Sequence, residues 1–161
     1  MGASRTGPSF PTATYRLQLR GELDLPRVSA LVPYLSALGV ESVYLSPIAT
    51  SSPGSTHGYD VLDPTTIDPA IGGRAAFDDL VAALQAEGMG ILLDLVPNHM
   101  RAHADNVWWR DVLEHGQASR HADFFDLRWG VDPERRLVLP VLGRHYGEAL
   151  EAGELVPARD K

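Results

Sequence analysis

The order of its periodicities restricts this chain most. Short runs with strand character are separated twice by a helical stripe, giving β-α-β-α-β between residues 14 and 96. Thr14-Tyr15-Arg16-Leu17-Gln18-Leu19 alternates in period two, as a half-buried strand does. Asp24 can cap a helix with Pro26 in its first turn; Val28, Leu31, Val32 and Leu35 form its apolar stripe and Gly39 stops it, with Pro33 expected to bend it. Ser42-Val43-Tyr44-Leu45-Ser46 is a second strand, closed by Pro47. Phe77, Leu80, Val81 and Leu84 then define a second helix ending at Gly88, and Ile91-Leu92-Leu93-Asp94-Leu95-Val96 reads as a parallel strand buried on both faces. Two successive crossovers of this kind specify a parallel sheet with right-handed connections. Periodicity alone leaves a doubly wound sheet and a (β/α)8 barrel equally open.

Composition narrows the partners. The 161 residues, 44% of them hydrophobic, are enough for one domain with its own core. A formal charge of -7, from 21 acidic and 14 basic residues, argues against nucleic acid and against anionic membrane surfaces. No cysteine is present, so neither disulfides nor thiolate chemistry enter. Residues 1–11 read as a flexible Gly/Ser/Pro start without a secretory pattern, and no run is apolar enough to span a bilayer. A soluble cytoplasmic protein with no obligate protein partner is the expectation.

Ligands of parallel α/β folds bind at the carboxyl ends of strands, so the segments after Leu45 and Val96 matter most. Residues 48–73 exceed an ordinary connection in length and read as a functional loop. The loop holds Gly54-Ser55-Thr56-His57-Gly58-Tyr59-Asp60, an imidazole, a phenol and a carboxylate on a Gly-punctuated turn. The plain alternative is a turn in which Asp60 caps backbone amides and Tyr59 packs on the sheet. Asp94 interrupts an apolar strand, and a carboxylate there needs a partner; it is either a structural ion pair or part of a site. Asn98 and His99 suit sugar hydroxyls or loop backbone. A metal site on His57, Asp94 and His99 lacks any regular ligand spacing, so no metal or cofactor is expected. Trp108, Trp109, Phe124, Phe125 and Trp129 can stack on sugar or form core. His103, His115, His121 and His145 have no evident partner and read as surface.

Taken together, Asp94-Leu95-Val96-Pro97-Asn98-His99 and His57-Gly58-Tyr59-Asp60 resemble two signature regions of the α-amylase superfamily (glycoside hydrolase family 13). Longer strings resemble its maltooligosyltrehalose synthases: Ala13 to Gln18, Ser46-Pro47-Ile48, Pro53 to Val61, Trp108 to Glu114, and Leu139 to Gly147. Val107 replaces a proline of that pattern. The resemblance implies the N-terminal part of a (β/α)8 TIM barrel: 1–11 a flexible start, 12–100 the first three β/α units, and 101–161 the start of an insertion after the third strand. It implies an intramolecular transglucosylation that turns the reducing-end α-1,4 bond of a maltodextrin into an α,α-1,1 bond. Tyr59 would stack under the glucosyl unit, Asp60 would accept from its hydroxyls and His99 would donate to one, with His57, Asp94 and Asn98 in support. The family's nucleophile and acid/base follow later strands. The resemblance therefore gives this chain no catalytic carboxylate and leaves Asp123, Asp126, Asp132, Glu134 and Glu148 without a role. The alternatives are a hydrolytic member of the superfamily and a non-catalytic maltodextrin-binding module.

Overall fold

A computed structural model of the chain describes residues 11–129, 137, 139 and 142–156. The flexible start expected over 1–11 lies almost wholly outside the described residues, as do Asp132 and Glu134. The chain divides into two compact units, Met1–Phe125 and Asp126–Lys161.

In the first unit the parallel strands are β1 (Thr14–Leu17), β2 (Ser42–Leu45) and, after a two-stranded excursion, β5 (Gly90–Leu93). They pair in the order β1-β2-β5, with Leu17 opposite Leu45 and Leu45 opposite Leu93. Helix α1 (Leu25–Ala37) makes the first crossover and α2 (Gly73–Ala86) the second. Asp24 caps α1 by accepting from the Arg27 amide at 2.9 Å. The helix runs unbroken through Pro33, which is exposed, so the missing donor lies on its outer surface. Leu31, expected in the stripe, is 37% exposed; the buried face is Leu25, Val28, Val32 and Leu35.

The strand alternation decides what faces what. Leu17, Val43 and Leu45 are buried against α1 and α2 with Leu80, Leu84 and Met89, and Ile91 and Leu93 pack against that cluster. Each such leucine or valine contributes about 1.5–3 kcal/mol by leaving water. The intervening residues, Arg16, Tyr44 and Leu92, form one row on the opposite face. That face is open among the described residues, and Leu92 is 42% exposed. The third strand is thus half-buried on one face, through Ile91 and Leu93, and exposed on the other, because the helices cover one face of the sheet among the described residues.

Residues 48–73 also differ from the simple loop expected. They contain an antiparallel pair, β3 (Ala49–Ser51) with β4 (Val61–Ile67), and a 3-10 turn at Pro69–Ile71. Serine and threonine there do not prevent pairing: Thr50 and Thr66 join hydroxyls at 2.8 Å across it, and Pro64 sits in an edge strand whose one strand partner among the described residues is β3. After β5 come α3 (Val107–His115) and two 3-10 turns; the second unit holds α4 (Tyr146–Glu151).

Candidate sugar-binding rim

A buried ion pair anchors the loop after β2. The Arg20 guanidinium, 4% exposed, meets Asp68, 8% exposed, at 2.9 Å and donates to the carbonyls of Pro47 (2.6 Å) and Ala49 (3.1 Å) and to Ser51 Oγ (3.2 Å). Asp68 also accepts from the Ser51 amide and hydroxyl and from the Ala70 amide. Burial of such a pair is tolerable because nearly every lone pair and proton is used. Gly58 lies directly on this guanidinium: at φ +81°, an added Cβ would stand 2.3 Å from Arg20 Nη1 and 2.9 Å from the Pro47 carbonyl. The glycine between His57 and Tyr59 is required both by its backbone and by that contact.

The loop then closes on itself. The Ser52 amide donates to the Asp60 carbonyl (3.2 Å), the Gly58 amide to Ser55 Oγ (3.0 Å), and the Ser55 hydroxyl to the Asp60 carboxylate (2.5 Å). Arg101 Nη1, from the segment after β5, stands 3.6 Å from Asp60 Oδ2 and donates to Ser52 Oγ at 2.7 Å. Burial pushes the Asp60 carboxyl up, but the hydroxyls of Ser55 and Ser52, its own amide and nearby His57 outweigh this and hold it below the ordinary 3.8.

Asp94 finds its partners at the carboxyl ends of the other strands. Its Oδ2 accepts from the Tyr59 hydroxyl at 2.5 Å and the Tyr44 hydroxyl at 3.3 Å, with Arg16 Nη2 at 3.6 Å. Arg16 also lies over the Tyr44 ring, 5.3 Å from its centre, and reaches the Tyr59 hydroxyl at 3.4 Å. The bond to the Asp94 carboxylate, with burial and the carboxylate's charge adding to it, raises the Tyr59 phenol above the usual tyrosine range. Tyr59 does not pack into the sheet: it is 38% exposed and stacks on His57 at 5.9 Å between centres. His57 Nδ1 accepts from the Tyr59 amide at 3.0 Å. His99 Nε2 lies 3.1 Å from the Tyr59 carbonyl and Nδ1 3.1 Å from Asn98 Oδ1, so both ring nitrogens have protein partners.

All six residues singled out from the sequence therefore meet at one end of the sheet. A cavity of about 310 Å³ opens beside Asp94, lined by Pro47, Ile48, Val61, Ile67, Leu95 and Pro97 among others; Tyr59, Asp60 and His99 are not in its wall. The rim is an exposed aromatic ring flanked by a carboxylate and an imidazole, an arrangement able to stack on an apolar ring face and hydrogen-bond hydroxyls at its edge.

The model of the alpha-amylase catalytic domain matches residues 11–148. The chain belongs to the alpha-amylase family. Its β1-α1-β2 and α2-β5 units are the opening part of that family's (β/α)8 barrel. The maltooligosyltrehalose synthase of Arthrobacter ramosus is 45% identical, with a TM-score of 0.79, over 86% of this chain and 18% of its own. A Mycobacterium tuberculosis protein provisionally named maltooligosyl trehalose synthase is 42% identical over 91% of this chain and 21% of its own length. An intracellular maltogenic amylase of Bacillus subtilis is 41% identical over 65% of this chain. The chain spans about a fifth of the length of the first two.

Arg20, Tyr44, Asp68 and Arg101 carry no site role in the sequence, and Arg16 none beyond its place in a string. Strand register carries a signal for two of them, since Arg16 and Tyr44 share the face and end of Asp94. Asp68 carries a local signal as the cap before Pro69, accepting from the Ala70 amide, and no local pattern marks Arg20 or Arg101. His103, His115, His121 and His145, without an evident partner in the sequence, each have one in the structure. His121 Nδ1 bonds Asp111 at 3.1 Å and its ring stacks on Trp108, 5.1 Å away and 9° from parallel. His115 Nδ1 lies 3.2 Å from the same carboxylate, and His103 is 3.4 Å from Asp105. His145 caps α4 by accepting from the Gly147 amide. Spacings of two and four residues bring His103, His145 and His115 to turn and helix-end partners, whereas His121 reaches Asp111 across ten. Ser119 donates its hydroxyl to Asp111, and chiefly for that reason the Asp111 carboxyl titrates below its ordinary value. Trp109, 6% exposed, packs on Phe125 as core, and Trp108 on Phe124. Asp123 and Glu148 occupy first turns of short helices, where a carboxylate complements the helix dipole.

Proposed function

We propose that this chain supplies one side of the glucosyl-binding site of a maltooligosyltrehalose synthase. The observation that carries the reading is the convergence of Tyr59, Asp60 and His99 around Asp94, on a framework 45% identical to such an enzyme. Tyr59 offers its exposed ring face to the pyranose. Asp60, held ionised, accepts from its hydroxyls. His99 donates once the sugar displaces one of its two protein partners. His57 buttresses the Tyr59 ring, and Asp94 with Asn98 fixes the strand end.

In the reaction, a carboxylate attacks the anomeric carbon of the reducing-end linkage while an acid protonates the departing glucose. That glucose turns within the site and its anomeric hydroxyl attacks the glycosyl-enzyme, passing its proton to the now deprotonated acid, releasing the nucleophilic carboxylate and closing an α,α-1,1 bond. Exclusion of water favours this acceptor over hydrolysis. The nucleophile and the acid belong, on this reading, to sequence outside the 161 residues, with 101–161 opening an insertion after the third strand. A cytoplasmic setting accords with the absence of cysteine.

Incubation of the 161-residue chain with maltopentaose tests the division of labour. The reducing-end count is expected to stay constant. A time-dependent fall would place the chemistry within this chain, and a rise would make the reaction hydrolytic.

A further inference from the structure

Arg101 follows the Asp94–His99 motif and belongs to neither signature region, yet it joins three parts of the first unit. Its amide donates to the Val61 carbonyl at 2.8 Å, tying it to the start of β4. Its carbonyl accepts from Asn106 Nδ2 at 3.0 Å, and Asn106, fully buried, caps α3 by accepting from the Trp108 and Trp109 amides. Its guanidinium spans the gap to the other motif, donating to Ser52 Oγ at 2.7 Å and standing 3.6 Å from Asp60 Oδ2. The backbone is therefore fixed at both ends, and the half-exposed side chain is free to hold Asp60 in place.

We propose that Arg101 is a positioning residue: it locks the Asp60 carboxylate to the segment after β5, so that both halves of the rim keep one spacing for a glucosyl unit. The proposal rests on the glucosyl-binding reading for its consequence, but not for its geometry. Among the described residues, the groups that face the Asp60 carboxylate besides its own amide are the Ser55 hydroxyl at 2.5 Å, Arg101 at 3.6 Å, His57 Nδ1 at 3.9 Å, and Ser52, whose hydroxyl Arg101 itself engages. Arg101 is the permanently charged one among them. Its loss removes a cation and frees Ser52 without disturbing either main-chain bond of residue 101, so the variant retains the means to fold.

The test uses Arg101→Ala, Arg101→Lys, Asp60→Asn and the double variant Asp60→Asn/Arg101→Ala in the 161-residue chain, with maltopentaose as probe. Maltopentaose affinity is expected to fall about threefold to tenfold in Arg101→Ala, to recover in part in Arg101→Lys, and to be no lower in the double variant than in Asp60→Asn. Without sugar, the Asp60 carboxyl followed by carbon NMR is expected to titrate higher in Arg101→Ala than in the parent. Unchanged Asp60 titration, or losses that simply add in the double variant, would overturn the proposal. If the parent chain binds no maltopentaose, the glucosyl reading fails, while the carboxyl titration still decides the role of Arg101.

Discussion

At the scale of single residues, the site depends on a glycine and a buried ion pair more than on the groups that would touch sugar. Gly58→Ala meets Arg20 and the Pro47 carbonyl at a positive φ. It is expected to destabilise the first unit by about 1–3 kcal/mol, read from urea unfolding. An unchanged midpoint would mean that the loop does not rest on Arg20. His57, Tyr59 and Asp60 stood out as imidazole, phenol and carboxylate on a Gly-punctuated turn, but those residue types suit a plain turn as well, and only the resemblance distinguished a candidate site from one. Arg20 was not legible, because its partners at positions 47, 49, 51 and 68 are assembled by folding and follow no spacing. The sign for Asp60 follows from its lowered carboxyl. Its stabilising contribution is fully present above the ordinary value of 3.8 and is lost as pH falls through the still lower value in the folded chain. Proton NMR of the Ser55 and Gly58 amides is expected to show the loop holding its order through pH 5 and loosening only below pH 3.8. Loosening between pH 5 and 6 would contradict an ionised, hydroxyl-bound Asp60.

Among elements, the first strand was readable from period two, the third from its apolar run and both crossover helices from their apolar stripes, because each element buries an apolar face of its own. Two things were not readable. The pairing of β3 with β4 joins short Ser/Thr-bearing segments whose register shifts twice, leaving no alternation to read. The one-sided, partial burial of β5 depends on what packs over each face of the sheet, something absent from its own apolar run. Helix α3 is held by the burial of Trp109 and Val112 and at its start, where Asn106 caps two amides and anchors Arg101. Asn106→Ala is expected to cost about 1–2 kcal/mol and to shift the Trp109 near-ultraviolet signal. A variant as stable as the parent would mean that α3 is fixed by the Trp109–Phe125 contact alone.

For the molecule as a whole, the sheet divides its labour by face. Leu17, Val43, Leu45, Ile91 and Leu93 join the helices in the core, and Arg16, Tyr44 and Asp94 carry the strand ends where Tyr59 docks. Folding the first unit therefore assembles the rim, since the register that buries the leucines is the register that sets Arg16 and Tyr44 beside Asp94. The barrel was legible as a parallel sheet from periodicity and as a barrel only through its motifs, because two crossovers suit either architecture. Calorimetric titration of the 161-residue chain with maltopentaose, beside Tyr59→Ala and Asp60→Asn, tests the central claim most directly. Saturable binding by the parent, weakened at least about tenfold in each variant, is the predicted result; absent binding, or binding indifferent to both substitutions, would contradict it.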